Sequence, residues 1–311
     1  MPRPYPVSRT VDLDGPVHHV DHGGPQSADA PPLVCVHGLG GSHANWHDLA
    51  PLLARNQRVH ALDLAGHGRT PRAGRSASVR ANRLLLDRFL DEAVDDGPVV
   101  LVGNSMGAAV CLLQAAAAPE KVAGLVLIGP ALPRVRKDVP DRALARQMAL
   151  VAVPGLAERV LARRRTRLGA EGLIAETLAL TTADPSRVSA GMRSLAVELL
   201  ETRASGPDGE AAYLEAARSL GVLVARAAAY RATIASVAAP ALVLQGALDR
   251  LVPPSGVQQL LALQPGWRIE VMDGLGHVPQ IEDPERTAAL IHSWLDGLRR
   301  SGSDSVLAGA S

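Results

Sequence analysis

The chain has 311 residues, 47% of them apolar and only seven aromatic, and its 32 basic and 31 acidic residues leave a net charge of +1. That near-balance argues against a basic nucleic-acid binder, and so few rings leave little for base stacking. Length alone suggests about two domains at ~150 residues each, enough chain to bury a large core without staples. Charged residues at 20% set the sequence apart from disordered chains.

Read in order, Met1 to Gly15 is polar and proline-broken, with no apolar leader core. Weak alternation over Thr10–Val20 predicts an antiparallel hairpin. Pro31–Gly38 carries Leu33, Val34, Cys35 and Val36 in a row, the pattern of a strand buried on both faces. A helix is expected over Asn45–Ala54 with Asn45 as its N-cap. Arg58–Leu64 reads as the next strand, ending at a Gly66-His67-Gly68 turn. A helix over Ser78–Val94 follows, with Leu84, Leu85, Arg88 and Phe89 on its apolar face. Val99–Val102 is a third buried strand, Ser105–Ala118 a small-residue helix stopped by Pro119, and Leu125–Ile128 a fourth strand. The uncharged stretch Gly97–Pro119 is broken by Gly97-Pro98 and Gly103-Asn104-Ser105, so it reads as strand, turn and helix and not as an integral membrane segment. Cys35 and Cys111 both lie in apolar runs and are expected to be buried free thiols.

From Leu132 to Ala238 the rhythm stops, leaving helix-prone Ala/Leu/Arg sequence broken at Pro154-Gly155, Pro185 and Ser205-Gly206-Pro207. It resumes with a strand at Ala241–Gln245, a helix over Ser255–Leu263, a strand at Arg268–Met272 and a helix from Pro284 to Leu298, with Asp283 as N-cap. Repeated strand–helix units imply an α/β fold: a mostly parallel central sheet with helices on both faces. The organisation expected is a core of residues 1–131 and 239–300, a helical cap inserted at 132–238, and a flexible tail at 301–311. The cap holds 16 basic against 11 acidic residues (+5) and the remainder −4. Charge pairing across an internal interface accounts for this; the sharper alternative is a lid that attracts anionic substrates or lipid surfaces, centred on Arg163–Arg167.

Gly103-Asn104-Ser105-Met106-Gly107, between a buried strand and a helix, has the G-x-S-x-G form of a nucleophile elbow. Such a turn is too tight for bulk at the flanking positions, and it presents the serine near a helix N-terminus, where developing negative charge is favoured. A serine hydroxyl needs a base, and the base needs a carboxylate to orient it. Asp249 follows the strand at Ala241–Gln245 and His277 follows the last strand, in the chain order serine, acid, histidine. Asp273 is read as a turn residue and Asp138, amid Arg134-Val135-Arg136-Lys137, as a solvated charge. Oxyanion donors are expected from the backbone N–H groups of Met106 and of Leu39, in the loop His37-Gly38-Leu39-Gly40-Gly41-Ser42. That loop lacks the residues of a phosphate loop. No metal is expected: nothing else near His18, His19 and His22 in the sequence supplies a ligand set. Trp46 is read as core, His67 as a structural turn residue, and Glu282 with Asp283 as caps of the last helix.

The motifs H-G-L-G-G-S, D-L-A-G-H-G, G-N-S-M-G, G-A-L-D-R-L-V-P and G-H-V-P-Q-I-E-D-P, in this order, resemble the α/β-hydrolase family. The resemblance implies a cofactor-free serine hydrolase with a variable cap, acting on a small-molecule substrate, most often an ester. Serine at the elbow sets the chain apart from dehalogenase and epoxide-hydrolase relatives, which carry aspartate there. G-N-S-M-G and G-A-L-D-R-L-V-P are also similar to carbon–carbon bond hydrolases of ring-fission products. Those relatives have a proline-containing G-x-G-P-G loop and a tryptophan after the histidine, where this chain has Gly38-Leu39-Gly40-Gly41-Ser42 and Val278. The reading is therefore an esterase- or lipase-like cytoplasmic enzyme with a mainly apolar pocket. A carbon–carbon hydrolase and a non-catalytic small-molecule receptor on the same fold are the alternatives.

Overall fold

The computed structural model describes residues 6–25, 30–94, 97–133, 153, 155–204 and 209–308. The weak alternation near the N-terminus forms the hairpin β1 (Val7–Asp12) and β2 (Pro16–Asp21). The unbroken apolar runs become β3 (Leu33–Val36), β4 (Val59–Leu62), β5 (Val99–Asn104), β6 (Val122–Ile128) and β7 (Ala241–Gly246). All residues of β3, β4, β5 and β7 are buried, as strands covered on both faces must be. The eighth, β8 (Arg268–Met272), is more exposed and lies at the edge. The sheet order is β1-β2-β4-β3-β5-β6-β7-β8, antiparallel over the first three strands and parallel from β4 onward.

Helices cover both faces. One layer holds α2 (Val79–Ala93) and α3 (Met106–Ala117), which pack Leu86, Phe89, Ala108 and Cys111 against Val34, Leu101 and Leu127. The other begins with the short α1 (Leu49–Leu53), whose Leu49 and Leu53 meet Trp46 and Ile291. Trp46, Cys35 and Cys111 are buried, the thiols free. On α2 the buried positions are Val79, Asn82, Leu85, Leu86, Phe89 and Leu90, while Leu84 and Arg88 are exposed.

The helix expected over Asn45–Ala54 divides into a 3-10 turn (His43–Trp46) and α1, and its cap is Ser42, not Asn45. Ser42 Oγ accepts from Ala44 N, and Asn45 Oδ1 accepts from Ser42 N: Asn45 is the reciprocal member of a capping box.

Between β6 and β7 the described residues are helical: α4 (Leu156–Thr181), α5 (Ala190–Ala204), α6 (Gly209–Ala225) and α7 (Ala227–Ala235). Gly169 interrupts α4 with φ 65° and ψ −177°. Asp138 lies outside the described residues. After β7 come α8 (Pro254–Leu263), α9 (Pro279–Glu282) and α10 (Pro284–Ala308). The last helix thus runs to Ala308 instead of ending at Leu298, with no proline to stop it. Among the described residues no helix is long and apolar enough to cross a membrane.

Among the described residues, two ion pairs join the core to the cap with the arginine on the core side. Arg69 and Arg72 of the core meet Glu198 and Glu215 of the cap, each at 2.9 Å. The cap's own arginines Arg164, Arg165 and Arg218 pair within it, with Glu176, Glu210 and Glu158.

Candidate active site

The parallel strands end on one edge of the sheet, and the loops that leave them carry the candidate residues. Ser105 sits between β5 and α3 with φ 53° and ψ −112°, a left-handed conformation that costs a non-glycine residue about 1–3 kcal/mol. Its neighbours explain why the turn tolerates no bulk. A methyl group on Gly107 would lie 2.0 Å from Val36 O, and one on Gly103 2.6 Å from Ala108 Cα. The half-buried Ser105 side chain caps no helix amide. Met106 opens α3, so its N–H belongs to the first turn, where no intrahelical acceptor exists.

The loop after β3 comes up against the elbow. A methyl on Gly38 would meet Ser105 Cβ at 3.3 Å. Gly41 N donates to Gly38 O at 3.1 Å, closing a turn with Leu39 and Gly40 at its corners. Gly40 has φ +73°, which that corner requires. His37 holds the loop from beneath: its Nδ1–H donates to Gly38 O at 2.7 Å and its Nε2 accepts Leu64 N–H at 3.1 Å. Full burial lowers its pKa to about 4, so the ring is neutral and this donor–acceptor pattern is set. From the cap, Tyr213 lies against Gly40 and Ala212 against Gly66.

Asp249 and His277 are brought together from loops 28 positions apart: His277 Nδ1–H donates to Asp249 Oδ2 at 2.7 Å. Asp249 also accepts Gln245 Nε2–H at 2.9 Å, and its Oδ1 accepts the amides of Leu251 (2.8 Å) and Val252 (2.9 Å). Burial alone would raise this carboxyl's pKa; His277 and the converging donors outweigh it and hold the group below the ordinary carboxylate range. The loop after β6 links the histidine to the elbow. Ser105 N donates to Ile128 O at 3.0 Å, and Gly129 abuts the His277 ring, where a methyl would lie 2.9 Å from Nδ1. Asn104 Nδ2 donates to Ile128 O (3.0 Å) and His277 O (3.3 Å).

Sequence reasoning missed Asn104, Gln245 and His37 as supports. Gln245 bonds Asp249 and Val252 in the loop that follows it and His37 bonds Gly38 beside it, so both were within reach of local reasoning; Asn104 bonds Ile128 and His277, which only the fold brings to it. Asp273 occupies an exposed turn, as expected. Asp283 caps the last helix through Arg286 N at 3.1 Å. Glu282 does not: its oxygens accept Gly276 N (2.6 Å), Ala183 N (2.8 Å) and Asp184 N (3.1 Å).

Two other polar clusters lie outside the site. His18 acquires partners the sequence did not suggest, because β2 and β4 pair: His18, His43 and Asp63 place ligand atoms within 4.8 Å of one another. The Nδ1–H groups of both histidines donate to Asp63 Oδ2 at 2.8 Å, Arg69 N joins them at 2.9 Å, and His43 N donates to Oδ1 at 2.7 Å. With both oxygens already bonded, this set braces β2, β4 and the turn after β3. A cleft of about 360 Å³ on the β1–β2–β4 face is lined by Arg9, His19, Asp21, Arg58, His60 and Glu92. Its buried Asp21 is paired with Arg9 (3.1 Å) and Arg58 (3.4 Å).

A profile of the family described as alpha/beta hydrolase fold matches residues 31–284. A pimeloyl-[acyl-carrier protein] methyl ester esterase from Aromatoleum aromaticum is 30% identical over 86% of this chain and 99% of its own length. The dihydrolipoyllysine-residue acetyltransferase component of an acetoin cleaving system from Pseudomonas putida is 31% identical over 82% of this chain; the chain spans 60% of that protein's length. Among solved structures, a serine hydrolase involved in carbazole degradation superimposes with a TM-score of 0.70 at 25% identity, covering 94% of this chain and 99% of that one.

Proposed function

From its membership of the alpha/beta hydrolase family, we propose that this chain is a serine hydrolase that cleaves a carboxylic ester through an acyl-enzyme. The observation that carries this reading is the His277–Asp249 hydrogen bond of 2.7 Å, made on loops at the same sheet edge as the strained Ser105. With Nδ1–H committed to Asp249, Nε2 is the nitrogen left to take the Ser105 proton as the hydroxyl attacks the ester carbonyl. Asp249 holds the imidazole in that tautomer and stabilises the imidazolium. The amides of Met106 and Leu39 bind the tetrahedral oxyanion, each contributing roughly 3 kcal/mol. His277 then protonates the departing alcohol, and a water deprotonated by the same nitrogen releases the acid.

The ester class is supported by the methyl ester esterase relative. The Ala-, Leu- and Val-rich composition of residues 132–238 favours an apolar acyl or alcohol part. Intact-mass spectrometry after exposure to a small fluorophosphonate tests the mechanism. One adduct on wild type, localised to Ser105 and lost in Ser105→Ala and His277→Ala, is expected; folded wild type without an adduct refutes it. A carbon–carbon hydrolase would use the same three side chains, and the G-N-S-M-G and G-A-L-D-R-L-V-P motifs make it the rival. Faster bleaching of a coloured ring-fission diketone than hydrolysis of p-nitrophenyl esters would select it.

A further inference from the structure

The histidine loop is bound to the end of the cap helix by a set of contacts that the reaction as described does not use. His277 N donates to Thr181 O at 2.6 Å, so the last turn of α4 accepts directly from the backbone of the proposed base. One residue earlier, Gly276 N donates to Glu282 Oε2 at 2.6 Å, while Glu282 Oε1 accepts Ala183 N and Asp184 N, just past the end of α4. The contact is close: a methyl on Gly276 would lie 2.6 Å from Thr181 O and 2.7 Å from Ala183 N. Glu282 is 4% exposed. Next to the proposed acid, Arg250 donates to Ala179 O (2.5 Å) and Thr182 O (3.1 Å), which caps the C-terminal carbonyls of the same helix. An apolar cluster of Leu178, Val188 and Met192 from the cap with Val278 and Ile281 from the loop lies alongside.

We propose that Glu282 is a positioning residue for the acid–base pair: it locks the His277 loop to the root of the cap, so that the cap sets the imidazole's position. The inference rests on the serine-hydrolase reading above. Three amide donors converge from two sides on one buried side chain. Only a carboxylate, with two acceptor oxygens and no proton of its own, can satisfy both sides together. In Glu282→Gln one side must face an N–H₂ group, and the loop or the cap end must move. Because the turn carries His277 directly, a shift there moves Nε2 relative to Ser105.

Three readouts test this on Glu282→Gln and Glu282→Ala in the full chain. With p-nitrophenyl butyrate, kcat is expected to fall by about 10–100-fold while KM changes by less than about threefold, the signature of a reacting group misplaced by a fraction of an ångström. The low-field proton resonance of His277 Nδ1–H, assigned by its loss in His277→Ala, is expected to broaden or shift in both variants. Fluorophosphonate labelling should slow in parallel with kcat. A variant that melts within a degree or two of wild type yet keeps wild-type kcat and the unshifted resonance overturns the proposal. Should neither variant fold, hydrogen exchange on the wild type decides. The amides of Gly276, Ala183 and Asp184 should be protected with one common opening; a Gly276 amide exchanging at free-loop rates while Ala183 stays protected overturns it. Labelling of the wild type separates the two readings. No adduct there refutes the serine mechanism, whereas equal labelling rates in wild type and Glu282→Gln refute the positioning role alone.

Discussion

Lowering the pH from 7 to 5 should remove a large part of this protein's stability well above the range where carboxylates titrate. Burial lowers the pKa of His19 to about 3 and of His22 and His37 to about 4, against 6.5 for an unfolded histidine. The unfolded chain therefore binds more protons than the folded one at every pH between 6.5 and about 4, and stability falls as pH drops through that window. At pH 5 each of the three rings contributes a loss of about 2 kcal/mol, roughly 5–6 kcal/mol together, from 1.36 kcal/mol per unit of pKa difference. His67, fully buried and held well below its ordinary value, acts in the same direction. Against a total of about 5–15 kcal/mol for a typical domain, that loss approaches unfolding. Urea titrations followed by tryptophan fluorescence at pH 7, 6 and 5 measure it directly. His22→Gln should reduce the fall between pH 7 and pH 5 by about 2 kcal/mol. An unfolding free energy that is flat between pH 7 and 5 would refute the argument, because it would mean these rings protonate in place.

Asp249→Asn should retain the fold, since an amide oxygen can still accept from Leu251 and Val252. It presents an N–H₂ to His277 Nδ1, however, and the wrong tautomer lowers kcat by about 10⁴; steady-state ester hydrolysis checks this. Gly107→Ala drives a methyl to 2.0 Å from the Val36 carbonyl oxygen, so about 3 kcal/mol or more should be lost in a thermal or urea melt. Arg163 and Arg167 are exposed on α4, in a cap that carries 16 basic against 11 acidic residues. Changing both to Gln should lower kcat/KM for an anionic ester about fourfold at low ionic strength, from two unit charges at ~10 Å in water. A neutral ester should be unaffected, and 0.5 M salt should erase the difference. Identical salt dependence in wild type and variant would show that the stripe captures nothing.

Much of the architecture is legible in the chain because its signals are local. Four consecutive apolar residues such as Leu33–Val36 can be accommodated only where both faces are covered, and small residues at 103 and 107 are what a tight strand-to-helix turn requires. The G-x-S-x-G turn between strand and helix, with an aspartate and a histidine following later strands in order, singled out Ser105, Asp249 and His277, and the structure brings the last two into contact. Local reasoning failed where two elements compete for the same residues. Asn45 has the chemistry of an N-cap, yet Ser42, three positions earlier, takes that role and makes Asn45 its partner.

Tertiary structure decided the rest, because pairing across long sequence separations cannot be read from neighbours. Glu282 reads as a cap of the helix that follows it, but its oxygens meet Gly276 and residues 183–184, about a hundred positions away. His18 sits in a histidine-rich run with no ligand beside it, and strand pairing delivers Asp63 and His43. The cap's surplus arginines suggested attraction to an acidic core, whereas two core–cap pairs among the described residues run the other way, from Arg69 and Arg72 to Glu198 and Glu215. Composition sets how much charge a segment carries; only packing sets which charges meet, because an ion pair needs a distance of a few ångströms and net charge specifies none.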